Sequence, residues 1–245
     1  MNTRVTTAVK MGLREFRRTP VLIGLLVVLP LYFIGGFTNI VPDATLTVPI
    51  GGEPVTVTLS AFVAALVTPV TAGLLSGIVG LFLMQSSKAA DDRLRLAGYR
   101  PRDLVATRVS LLAAGGLVVS AVSLAVVLVG FTPESIPAFV AATVLTALIY
   151  GVLGVIVGVS LSRLAGVYVM LFAPYVDMLL FQNPMATDSA AWTKLLPGYF
   201  PTKATMDAAF TQGLDIGNFV GAVGYFLVVL LVGVVVFHRL TSSRA

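Results

Sequence analysis

The sequence predicts an all-α membrane protein built from six transmembrane helices. Three observations predict it. Of the 245 residues, 57% are apolar and only 11% are charged, with a mean hydropathy of +0.98. A soluble domain carries about 25% charged residues. The charges also leave long windows empty: 19–42, 54–87, 109–133, 135–162 and 216–238, with a shorter one at 164–176 that Asp177 interrupts and that stays apolar to Phe181. Finally, these runs are continuous rather than alternating, which favours helices over barrel strands.

A helix crosses the hydrocarbon core with about 20 apolar residues. The windows therefore predict spans over 20–38, 60–84, 107–131, 137–160, 164–181 and 216–238, all within a single domain, 1–245. Pro30, Pro69 and Pro174 fall inside spans one, two and five and are expected to kink them by removing backbone hydrogen bonds. The apolar run from Val21 to Phe37 exceeds the core of a signal peptide, and no small-residue cleavage site follows it. It reads as a retained span.

Orientation follows the basic residues. Fourteen of the sixteen Lys and Arg fall in the termini and in the loops on one side; only Lys194 and Lys203 fall on the other, with Asp43, Glu53, Glu134, Asp188, Asp207 and Asp215. Both termini are thus predicted to be cytoplasmic, in a multi-pass protein of the cell membrane. The formal charge of +5 splits into about +10 on the cytoplasmic face and −5 on the outer face, counting Asp177 with the latter. It records topology, and no nucleic-acid partner is expected.

Before the first span, residues 2–19 read as an amphipathic interfacial helix. Val5, Ala8, Val9, Gly12, Leu13 and Phe16 share one face, and Lys10, Arg14, Arg17 and Arg18 lie opposite. Such a helix meets anionic membrane lipid; a plain topology anchor is the simpler role. The outer loop 39–58 carries an alternation at Val55–Leu59 that suggests a hairpin around Gly51–Gly52. Residues 85–108 are the most charged stretch. Asp91 or Asp92 can cap a short helix through Ala97, Gly98 ends it, and Pro101 begins the next element. A short charged helix with Leu94 and Leu96 suits docking to another protein, against the plainer reading of a solvated topogenic loop. Residues 182–215 form the longest outer segment. Trp192, Tyr199 and Phe200 suit an interface, and Thr202 is positioned to cap a helix to Phe210, giving one or two short helices that dip into the outer leaflet. Gly73/Gly77, Gly154/Gly158 and Gly217/Gly221 have the spacing of close helix contacts.

Much chemistry is excluded. There are no cysteines and one histidine, His238, at the end of span six. That leaves no thiolate or histidine metal site and no Ser-His pair, so no catalytic or metal-binding residue is assigned. No phosphate-cradling GxxxxGK[ST] loop and no HExxH or GxSxG is present. Asp177 is the one intramembrane acid. It is either a proton or cation site, or a carboxylate bonded near Tyr175 or to the outer segment.

Four features together resemble the ABC-2 type permeases, the membrane subunits of one class of ATP-binding-cassette exporters. They are the basic segment Arg14-Glu15-Phe16-Arg17-Arg18-Thr19-Pro20 before span one, the loop DDRLRLAGYRPRDLVATR between spans two and three, the outer LLPGYFPTKATMDAAFTQG before span six, and the basic tail FHRLTSSRA. The compact loop after span one departs from family members with a large extracellular domain. The resemblance implies a half-transporter. A second permease subunit, the same chain or a related one, would complete a path for an amphiphilic substrate such as a lipid, drug or peptide. It implies that this chain binds no cofactor, with ATP and Mg on a separate ABC ATPase subunit. It further implies that 85–106 is a coupling loop, in which Asp91, Asp92, Arg93, Leu94, Arg95, Leu96, Gly98, Tyr99 and Arg100 contact that ATPase. A secondary transporter or channel using Asp177, and a membrane scaffold or sensor without transport, are the other readings.

Overall fold

The computed structural model describes residues 20–42, 44–86, 101–185, 191–212 and 215–242, with only the helical backbone at 20–23, 101–104 and 237–242. The N-terminal stretch with Arg14, Phe16, Arg17 and Arg18 lies outside the described residues, as does the charged stretch from Asp91 to Arg100.

The described chain is mostly helical. Helix α1 (Pro20–Pro30) continues through a π-helical stretch, Leu31–Gly36, into α2 (Phe37–Ile40). A two-stranded hairpin follows, β1 (Thr45–Ile50) and β2 (Glu53–Thr58). Then come α3 (Leu59–Ser86), α4 (Pro101–Val127), α5 (Ile136–Ser160) and α6 (Arg163–Tyr175), the last running into a second π-helical stretch, Val176–Phe181. A 3-10 turn (Ala191–Leu195), α7 (Tyr199–Phe210) and α8 (Ile216–Ser242) complete it. Five helical stretches are long and apolar enough to cross a membrane: Leu59–Ser86, Val105–Val127, Ile136–Ser160, Arg163–Phe181 and Ile216–Val236. The first, Gly24–Ile40, is apolar but shorter.

Several details depart from the sequence reading. The fold departs from all-α only in the hairpin, which forms where the alternation at Val55–Leu59 suggested it. Gly51 and Gly52 both have positive φ, +61° and +88°, which a two-residue turn of matching twist requires. Pairing of Val48 with Val55 and Leu46 with Val57 puts the apolar residues on one face, and Val48, Ile50 and Val57 are buried. Helix α4 begins at Pro101 and stops at Val127, not at 131. Leu128, Val129 and Phe131 are still apolar, so hydropathy does not mark the stop; the N–H groups of Val129 and Gly130 turn back three residues, to Val126 and Val127. Pro30 directly precedes the first π stretch and Pro174 lies two residues before the second. Each proline lacks an N–H and crowds the carbonyl a turn earlier, which is where a helix loosens.

Helix α3 is the axis of the bundle and is almost wholly buried, with α4, α5 and α6 around it. Its closest neighbour is α5, through glycines on both sides. A Cβ on Gly80 would collide with the Gly151 carbonyl, and one on Gly154 with the Gly77 carbonyl. One on Gly73 would lie 2.9 Å from the Tyr150 ring. Small residues let two backbones touch where lipid supplies no hydrophobic drive between helices. Two of the three glycine pairs thus serve the packing of α3 against α5. In the third, Gly221 abuts the Phe200 ring of α7.

Candidate functional site

At one end of the bundle, the hairpin, the α4–α5 turn, the π stretch of α6, α7 and the start of α8 converge. Helix α7 is held there at both ends. The N–H groups of Glu134 and Ser135 donate to the Ala209 and Ala208 carbonyls at 3.1 and 2.9 Å, satisfying acceptors that the last turn of a helix leaves open. Gly198 occupies the N-cap position, and its backbone N–H donates to Asp177 Oδ2 at 2.7 Å. Helix α7 therefore starts three residues before Thr202, which is no cap but a buried residue of the first turns. The capping carboxylate comes from another helix.

Asp177 is the sequence-predicted site residue whose surroundings are described. It is 6% exposed. Besides Gly198, the Tyr150 hydroxyl of α5 donates to Oδ2 at 2.5 Å, and Gln182 Nε2 donates to Oδ1 at 3.3 Å. The same Gln182 amide donates to the Thr193 carbonyl at 2.9 Å, tying in the 3-10 turn. Tyr150 is 1% exposed and its ring lies against Gly73, so α3 positions the donor. The carboxylate thus accepts from three neutral donors on α5, on the exit of α6 and at the start of α7. A negative group is favoured at a helix N-terminus, where unpaired N–H groups and the aligned peptide dipoles converge. The arrangement joins two long apolar helices to the segment that follows them.

Of the sequence alternatives for this acid, the bond to the segment 182–215 is present, through Gln182 and Gly198. Tyr175 takes no part: its ring faces Phe33 of the first π stretch, with centroids 5.4 Å apart. The sequence reading missed Tyr150. Its signal was a lone phenol in the apolar run 137–160, since a buried Tyr hydroxyl usually finds a partner.

A second polar group lies beside the first. Asp207 on α7 is 4% exposed, and its Oδ2 accepts from Asn218 Nδ2 of α8 at 2.9 Å. Burial is the main cause that raises its pKa, with Asp215 adding to the rise and Asn218 and Lys203 opposing it. Lys203 stacks over the Tyr199 ring, 4.6 Å from its centroid, and donates to the Tyr199 hydroxyl at 2.9 Å. Among the described residues there is no group of three or more His, Cys, Asp or Glu placed to hold a metal ion.

No protein-family model matches the sequence, and no curated protein matches it.

Proposed function

We propose that the chain is the membrane subunit of an ABC exporter of the ABC-2 type, providing half of the path for an amphiphilic substrate and taking its energy from a separate ATPase chain. The observation that carries this reading is α7. A short helix led by Pro197 and Pro201 folds back onto one end of the bundle, pinned between α5 and α8 just before the last long helix. It lies at the end opposite Ser86 and Pro101, as short outer helices would in the resemblance. In this reading the six spans include α1, since helical turns run unbroken from Pro20 to Ile40, about 30 Å at helical rise. The termini and Asp91–Arg100 face the cytoplasm of a cell membrane, and α7 dips into the outer leaflet.

Exposed apolar faces fit the same reading. On α8, Val220, Leu227, Val228, Leu231 and Val235 are exposed. Lipid and a second permease subunit, identical or related, are suitable cover for such a face.

Purification in mild detergent tests it. An ATPase chain is expected to co-purify, and the permease alone is expected to hydrolyse no ATP. Replacing 91–100 with a Gly/Ser linker is expected to abolish ATP-driven export while leaving folding intact. Unchanged export would overturn the coupling role. A secondary transporter or channel would need Asp177 to titrate or bind a cation, so Asp177→Asn with full transport would exclude that class. Partner binding without substrate flux would favour a scaffold.

A further inference from the structure

The first helical stretch leaves a gap beside α4. Leu25, Leu26 and Leu29 turn one side of α1 onto the core around α3, and the Phe33 ring meets Tyr175. The other side, Val27 and Leu31, faces α4 across a groove of about 380 Å³ lined there by Val118, Ala121, Val122 and Ala125. Every residue lining the groove is apolar. Residues 118 to 126 of α4 give it a length of about 12 Å at helical rise.

The groove opens at one end into a second space. Leu31, Ala125 and Val126 also line a cavity of about 700 Å³ at the hairpin end, between the first π stretch, α2, the start of α3 and the end of α4. That is the size of a ligand pocket. Gly35 is in its wall with nothing within 4 Å of a built Cβ, so the space is not filled by packing. Thr38, Asn39, Thr58 and Ser60 also line it; Asn39 and Thr58 are exposed and the other two half-buried, so all four are within reach of a ligand.

These four groups offer both senses of hydrogen bond. Thr38 donates to the Ile34 carbonyl at 2.7 Å and Ser60 to Thr58 Oγ1 at 3.3 Å, so both hydroxyls present lone pairs. Thr58 Oγ1 accepts from Ser60 and from the Ala61 N–H, so it presents its proton. Asn39 Nδ2 donates to the Gly35 carbonyl at 2.6 Å, leaving Oδ1 to accept. No Asp, Glu, Lys or Arg is among the described residues of the lining. A charged head would give up water with no counter-charge to meet it, whereas a hydroxyl is donor and acceptor at once.

We propose that groove and cavity together bind a membrane lipid with an uncharged, hydroxyl-bearing head, such as a glycosyl diacylglycerol. An acyl chain lies between α1 and α4, and the head sits against Thr38, Asn39, Thr58 and Ser60. The proposal rests on the reading of the substrate as an amphiphile and narrows it to this class.

The test uses the full chain in an amine-oxide detergent, whose head carries no hydroxyl, and native mass spectrometry with equal mixtures of lipids. A monogalactosyl diacylglycerol competes with phosphatidylcholine and phosphatidylglycerol of the same acyl chains. The galactosyl lipid is expected to bind saturably and to be preferred roughly tenfold over either phospholipid. Gly35→Leu fills the cavity, and Ala125→Trp, at an exposed position, blocks its junction with the groove. Each is expected to weaken lipid binding roughly tenfold with little change in melting temperature. Asn39→Leu combined with Thr58→Val is expected to keep a bound lipid and lose the preference among heads. The proposal is overturned if no lipid saturates, if phospholipids bind the wild type equally well, if the folded blocking variants bind as the wild type does, or if the double variant keeps the preference. Should one blocking variant fail to fold, the other carries the comparison. Binding needs neither an ATPase nor export, so the two readings fail separately. Absent binding with ATP-driven export intact overturns the site alone; selective binding with no ATPase partner overturns the exporter reading alone.

Discussion

The Gly198 backbone N–H donates to Asp177 Oδ2 over 2.7 Å, so the π-helical exit of α6 caps the helix that follows it. Two further donors, Tyr150 and Gln182, complete the carboxylate's shell. Removing the acceptor leaves the buried Tyr150 hydroxyl and Gly198 N–H unpaired, each costing about 1–3 kcal/mol, while Gln182 keeps its bond to the Thr193 carbonyl. Asp177→Ala is expected to lower the melting temperature in detergent and to open the chain between 182 and 198 to protease. Asp177→Asn, which keeps an acceptor oxygen, is expected to lose less. Equal stability of wild type and Asp177→Ala would refute the capping role.

Tyr150→Phe separates the donor from the ring. The aromatic contact with Gly73 stays and only the hydroxyl is lost. A loss of about 1–2 kcal/mol is expected, less than for Asp177→Ala. In the double variant the two losses are expected not to add, because both remove the same bond.

The glycine seam has no room for a side chain. Gly80→Ala and Gly154→Ala each force a methyl into a facing backbone carbonyl, so α3 and α5 must separate. A loss of about 3 kcal/mol or more, or failure to accumulate folded protein, is expected. Gly24 and Gly224 have nothing within 4 Å of a built Cβ. Gly24→Ala and Gly224→Ala are expected to be neutral, or stabilising by up to about 1 kcal/mol through helix propensity. Melting temperatures of the four variants check the contrast.

Asp207 has a direction to its pH dependence. Burial raises its pKa above the usual 3.8, so between that value and the raised one the folded state holds the proton and the unfolded state does not. Its contribution to stability is therefore present at low pH and lost as pH rises through that window. Lys203, Asp215 and Asn218 are the groups that tune it. Asp207→Asn removes this titration, so the melting temperature of the wild type relative to the variant is expected to fall as pH increases from about 4. A constant difference would show that Asp207 is not desolvated.

The hairpin turn offers a local test. Gly51 and Gly52 adopt left-handed backbone that costs an L-residue about 1–2 kcal/mol. Replacing both with Ala is expected to destabilise the hairpin, while Asn-Gly is expected to be tolerated. Loss of protease protection around 45–58 reads the difference.

Hydropathy alone marked the apolar stretches, because burial in hydrocarbon is a sum over neighbours in sequence. The helices α3, α5 and α8 lie close to the predicted ranges for that reason. The end of α4 was less legible, since Leu128, Val129 and Phe131 are apolar but not helical, and the turn is set by backbone bonds and by contact with α7. The Gly51–Gly52 hairpin was readable because its signal spans only a few residues. Glycine spacing indicated that close contacts exist, but not that Gly80 would meet Gly151 while Gly221 meets Phe200.

What the sequence determined was the membrane class, the apolar helices, the asymmetry of charge between their ends and the presence of one acid among them. What only tertiary structure decided was the use of that acid. Tyr150 lies 27 residues before Asp177 and Gly198 lies 21 after it, and nothing local links the three. Hydrogen-bond partners are chosen by which helices pack side by side. That choice rests on the glycine seam between α3 and α5, which sets Tyr150 facing the exit of α6.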